Sequence, residues 1–120
     1  MTLKSLGLAA SLVALSAGPA IAFHNHLTKS TPAVDEQLAA SPKAIRLWFA
    51  EKVDAKFSSI TLMRADSTKI ETPKPTATDD PKSIATDVPT ALPSGKYLIR
   101  WRTAGDDGHA VRGTFSFSVK

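Results

Sequence analysis

The 120-residue chain contains no cysteine. No disulfide therefore braces the fold, and no thiolate is available as nucleophile or metal ligand. Methionine is nearly as scarce, with Met1 and Met63 only, so thioether chemistry rests on one internal position. Histidine occurs three times, at 24, 26 and 109. A long amphipathic helical pattern is missing, which argues against a bundle or an α/β architecture. Dense basic clusters are missing too: the positive charges stand at scattered positions such as Lys43, Arg46, Lys56, Arg64, Lys82, Arg100 and Arg112. Tracking a phosphate backbone needs a concentrated patch, so nucleic acid is excluded as a partner.

The one sustained apolar run lies at the start. Lys4 gives a positive beginning, residues 6–17 are apolar apart from Gly and Ser, and Ala20-Ile21-Ala22 offers the small residues of a cleavage site. This reads as a secretory signal peptide over residues 1–22. About a dozen apolar residues is short for a bilayer that needs about 20, so no membrane span is expected after cleavage. Removing the segment takes away one lysine and no acid, leaving 14 basic and 11 acidic side chains, a net of +3. Residues 23–120 are the right size for one domain that must be held by its core.

Within that domain the pattern has period two. Ile45, Leu47 and Phe49 alternate with Arg46 and Trp48 over 44–50. Over 58–64, Ile60 and Leu62 face one way and Ser59, Thr61 and Met63 the other. Tyr97, Ile99 and Trp101 alternate with Leu98, Arg100 and Arg102 over 96–103, and Phe115, Phe117 and Val119 do so over 112–119. Weaker strands are expected at 69–71 and 82–88, an extended edge segment before Pro32, and a connection with one helical turn over 35–41. Pro73, Pro75 and Pro81 rule out a central strand in their interval. Short strands between turn signals predict an all-β, immunoglobulin-like antiparallel β-sandwich, a Greek key barrel. Trp48, Trp101 and Tyr97 read as packing residues, and Arg100 and Arg102 as a solvated face.

The segment Asp106-Asp107-Gly108-His109 sits between the two clearest strands. Asp107 and His109 are two apart, so in loop backbone both can turn to one ion; His24 and His26 repeat that spacing. The pairs meet if the N-terminal strand runs beside the final hairpin. Imidazole nitrogens, a carboxylate and a terminal amine suit Cu(II) better than Mg or Ca, and Zn remains a competitor. Without a thiolate, Cu(I) is disfavoured. Asp-Asp-Gly is also ordinary turn chemistry, so the bare pattern equally allows a metal-free adhesion or assembly module. A copper-dependent oxidase or oxygenase is less favoured, since no acid and base pair stands out beyond Glu51.

Taken in order, His24-x-His26-Leu27, Ser30-Thr31-Pro32-Ala33, Ile45-x-Leu47-x-Phe49-x-Glu51, Phe57-Ser58, Asp80-Pro81-Lys82-Ser83, Leu92-Pro93-x-Gly95-x-Tyr97-x-x-x-Trp101-Arg102 and Asp107-x-His109 resemble the copper-resistance protein C (CopC) family, with YobA-type proteins similar as well. The resemblance spans residues 23–120. It implies a non-enzymatic periplasmic carrier or buffer, active in copper resistance and homeostasis, that binds one Cu(II) per chain. The implied ligands are His24, Asp107 and His109, joined by the terminal amine. His26 matches a third-position histidine of some members, and Glu51 an acidic position behind the ligands. The expected form is a monomer with an inner-membrane copper transporter as partner. Two departures stand out. The methionine-rich loop of some members has no counterpart between Met63 and Asp80, and cleavage after Ala22 leaves Phe23 ahead of His24. Intact mass of the secreted protein should correspond to residues 23–120; a mass lower by one phenylalanine would place the cut after Phe23 and make His24 the terminal residue.

Overall fold

Alternating segments become strands because each can bury one face and leave the other to solvent. The computed structural model describes residues 25–104 and 108–120. One sheet is built from β1 (Leu27–Thr31), β3 (Ala44–Phe49), β6 (Thr76–Ala77) and β7 (Ser83–Asp87), in the spatial order β1-β3-β7-β6. The other holds β2 (Gln37–Leu38), β4 (Ser59–Arg64), β5 (Lys69–Ile70), β8 (Gly95–Ala104) and β9 (Ala110–Val119), in the order β2-β9-β8-β4-β5. The protein is an immunoglobulin-like β-sandwich, as its alternation implies. Among the described residues all pairings are antiparallel except that of β2 with β9.

The core lies between the sheets and uses the residues picked out by alternation. Ile45, Leu47 and Phe49 from β3 meet Ile99 and Trp101 from β8 and Phe115, Phe117 and Val119 from β9, all of them buried. Each such side chain contributes about 1.5–3 kcal/mol through removal of apolar surface from water. Phe49 and Trp101 join the two sheets edge to face, with ring centroids 5.1 Å apart. Tyr97 stacks on its cross-strand partner Phe117 at 5.6 Å. Its hydroxyl donates to the Pro93 carbonyl at 2.6 Å, which satisfies the polar end of a buried ring.

On the outer face, Trp48 is half-buried beneath two cations: Lys29 Nζ lies 4.8 Å and Arg46 Cζ 4.5 Å from its ring. Arg46 also reaches Asp79 at 2.9 Å and Ser83 Oγ at 2.9 Å. Trp48 is thus a packing residue, as is the buried Trp101. Arg100 and Arg102 are exposed on the outer face of β8.

Three local features depart from the pattern. Residues 35–41 form no helical turn: Asp35 takes a left-handed φ of 62°, and the chain then runs as β2 along β9. Its backbone groups bond across rather than locally, with Asp35 N–H to the Ser116 carbonyl, Ser118 N–H to that of Glu36 and Lys120 N–H to that of Leu38. Met63 lies on the outer face of β4 yet is only 4% exposed. A short 3-10 turn, Ala55–Phe57, is capped by the Asp54 carboxylate accepting from Lys56 N–H at 2.9 Å.

Gly113 stands opposite Trp101 in the β8–β9 ladder, and the indole occupies the space a side chain would need. A Cβ at Gly113 would sit 2.6 Å from Trp101 Cζ2. Gly113→Ala is therefore expected to destabilise the fold by about 1–3 kcal/mol through overpacking, read as a lower midpoint in chemical denaturation. An unchanged midpoint would show that the indole can move aside without loss.

Candidate metal centre

Three connections place the site's elements at one end of the sandwich. Leu27, at the start of β1, pairs with Phe49, at the end of β3. The Phe49 ring rests against Trp101, and β8 runs on from there to Ala104, which closes the ladder against Ala110. At the opposite end, Val88 N–H bonds the Lys43 carbonyl and Leu92 N–H bonds Ser41 Oγ, so β3 and β8 both start there and run the same way. The entry to β1 and the β8–β9 hairpin tip therefore share an end. They belong to different sheets, however. The N-terminal strand pairs with β3 and not with the final hairpin, so the approach runs across the end of the sandwich rather than along a shared ladder.

Asn25 sets the entry to β1. Its side chain is buried and pairs with the backbone of Glu51 like a neighbouring strand residue: Glu51 N–H donates to Asn25 Oδ1 at 2.8 Å, and Asn25 Nδ2 donates to the Glu51 carbonyl at 3.2 Å. The same Oδ1 accepts from His26 N–H at 3.1 Å, and the His26 carbonyl accepts from Ala50 N–H at 2.9 Å. These bonds hold the backbone on both sides of His26 while its imidazole faces solvent. Glu51 likewise presents an exposed carboxylate at this end. In the sequence Asn25 is only the residue between two histidines. Its role depends on a partner 26 residues away, and an asparagine before a strand signals nothing of that kind.

His109 follows Gly108, whose φ of 79° is in the left-handed region that favours glycine, and immediately precedes β9. His24 and Asp107, the other expected ligands, lie outside the described residues. Among the described residues no three metal-ligating side chains converge; His26, Glu51 and His109 stand on segments that share this end of the sandwich. This donor set is nitrogen and oxygen throughout. Met63 cannot add a thioether, being buried on β4 opposite Leu98, well back from the hairpin tip. The residues fit a borderline divalent ion such as Cu(II).

Comparison with known proteins identifies the family. The CopC domain profile matches residues 27–120. The chain belongs to the CopC family. Protein YobA of Escherichia coli K12 is 33% identical over 121 residues, covering 99% of this chain and 98% of YobA. The crystal structure of CopC from Methylosinus trichosporium OB3b superposes with a TM-score of 0.75 at 30% identity, covering 81% of this chain and 94% of that one. PcoC of Escherichia coli, described as a methionine-rich copper resistance protein, gives 0.72 at 33% identity, with 81% and 99% covered. Membership in the CopC family makes this a copper resistance or transport protein by kinship. The matched span begins just after His24 and His26 and includes Glu51, Asp107 and His109.

Replacing Asn25 by Ala removes three hydrogen bonds and leaves the Glu51 N–H without its acceptor. The expected cost is about 1–3 kcal/mol, with faster amide hydrogen exchange at His26 and Glu51. Asn25→Asp keeps the acceptor and should restore protection at Glu51. Unchanged exchange at both amides in the alanine variant would show that Asn25 does not hold this end.

Proposed function

We propose that this CopC-family chain is a periplasmic Cu(II)-binding protein, secreted by removal of residues 1–22, that carries or buffers one copper ion in copper resistance. The ligands are His24, Asp107 and His109, with His26 beside them and Glu51 behind. What supports this reading is the shared end of the sandwich, at which the backbone leading into β1 and the turn leading into β9 both lie although they are about 80 residues apart in the chain.

Each residue has a definable part in holding the cargo. His109 supplies an imidazole nitrogen from a hairpin fixed by ten consecutive pairs with β8. Asn25 fixes the backbone ahead of His26, so that side chain departs from a defined point. The carboxylates offset the charge of the ion. When bound, Cu(II) draws on this nitrogen and oxygen set without a thiolate, which favours the divalent over the monovalent state. PcoC is titled methionine-rich, whereas here the only methionine after residue 22 is the buried Met63. A thioether site for Cu(I) is accordingly not part of this proposal.

The protein acts as a binder rather than an enzyme. Holding the ion at an exposed end of a rigid scaffold suits loading and release, and an inner-membrane copper transporter is the partner that such a periplasmic carrier would serve. The working unit is a monomer, since all the proposed ligands come from one chain.

Titration of the mature protein should show one equivalent of Cu(II), followed by its visible band. His109→Ala should weaken binding by more than the roughly 10–100-fold typical of groups outside the ligand set. At a free copper concentration 100 times Kd, the folded state gains about 2.7 kcal/mol. For a domain this size that is roughly 10–20 °C in melting temperature. No shift in excess Cu(II), or an equal shift with Zn(II) at the same concentration, would overturn the Cu(II) assignment.

A further inference from the structure

Thr103 is fully buried, and its Oγ1 has no hydrogen-bond partner, alone among buried side-chain polar atoms of the described residues. An unbonded buried hydroxyl is unfavourable. A valine methyl would fill the same space without that penalty, so in the metal-free fold the hydroxyl contributes nothing that an isostere would not. The position is also informative. Thr103 follows Trp101 by two residues on the inner face of β8, one residue before the ladder ends. Across the sandwich, the Phe49–Trp101 contact and the Leu27–Phe49 pair set Asn25 at a corresponding level. Asn25 does not satisfy Thr103: its Oδ1 accepts from His26 and Glu51, its Nδ2 donates to the Glu51 carbonyl, and the hydroxyl is left without a partner.

The cross-strand partner of Thr103 is Val111. Two residues before Val111, exposed and immediately ahead of β9, stands His109, at the diagonal position to Thr103. Diagonal neighbours of this kind have Cα atoms about 7–8 Å apart, within reach of a ring-bearing side chain. An imidazole that binds a metal through one nitrogen turns its other ring nitrogen into an N–H donor, and such ligands regularly need an acceptor behind them. A threonine hydroxyl offers acceptor lone pairs.

We propose that Thr103 is a positioning residue of the metal centre: its Oγ1 accepts a hydrogen bond from the ring nitrogen of His109 that does not face the ion. The inference rests on the copper reading above and deepens it. The hydroxyl selects which nitrogen of His109 coordinates and holds the ring plane, while remaining outside the ligand set.

The test uses Thr103→Val and Thr103→Ser in the mature protein, with His109→Ala alongside. Metal-free Thr103→Val should melt at or above the wild-type temperature. Its Cu(II) affinity, measured by competition against a chelator of known strength, should fall about 10–100-fold. Pulsed electron paramagnetic resonance should show an altered coupling to the remote imidazole nitrogen. Thr103→Ser should restore affinity and coupling. Wild-type affinity with an unchanged remote-nitrogen signal in Thr103→Val would overturn the proposal. So would a lower metal-free melting temperature in that variant, since the hydroxyl would then be bonded in the fold itself. If His109→Ala keeps wild-type copper affinity, the copper reading and this proposal fall together. If His109→Ala loses copper and Thr103→Val does not, only the role of Thr103 falls.

Discussion

The edge-to-face contact of Phe49 and Trp101 is the constraint on which the arrangement depends. It is a contact between sheets, at 5.1 Å, and it fixes how far β3 and β8 slide relative to each other. Everything beyond it is positioned from that point: Leu27 and Asn25 through β3, the hairpin through β8. A sandwich core is close-packed, so a shift of either ring would be transmitted outward rather than absorbed. Gly113 belongs to the same device, because a side chain at that point of β9 would collide with the indole.

Much of this was legible in the sequence, and for a clear reason. The strands whose alternation is strict, through Ile45, Leu47 and Phe49 or Phe115, Phe117 and Val119, declare their buried faces because burial is decided residue by residue. A solvated face for Arg100 and Arg102 followed from the same alternation, and packing roles for both tryptophans from the usual place of such rings in strands. What was not legible depends on distant partners. Residues 35–41 read as a connection with one helical turn, but Gln37 and Leu38 are strand because β9 offers a free edge to them. The sheet to which β1 belongs could not be read from its threonines. Asn25 and Thr103 carry no local signal: one is defined by the backbone of Glu51 and the other by the lack of any partner. The expected ligands His24 and Asp107 lie outside the described residues, and their assignment rests on the family pattern together with the placement of their neighbours.

The chemistry proposed for this end divides the work between rigid and exposed parts. Backbone pairing and buried side chains hold the positions from which the ligands depart, while His26 and Glu51 themselves face solvent. Tight holding of an ion and its later surrender to a partner both need such an arrangement. A buried site would hinder exchange, and a floppy one would bind weakly because ordering its ligands costs entropy.

The edges of the two sheets have a further consequence. Among the described residues, three of the four edge strands, β2, β5 and β6, are two residues long. The fourth, β1, is longer, but its register shifts between Leu27 and Lys29, a lysine projects from it, and Pro32 follows. Short, irregular or charged edges present no continuous row of unpaired amides to another molecule. A protein that lacks disulfides and is built almost wholly of strands would otherwise be prone to join its copies edge to edge. Here the boundaries of the sheets themselves discourage fibril growth and help keep the chains apart when they are crowded.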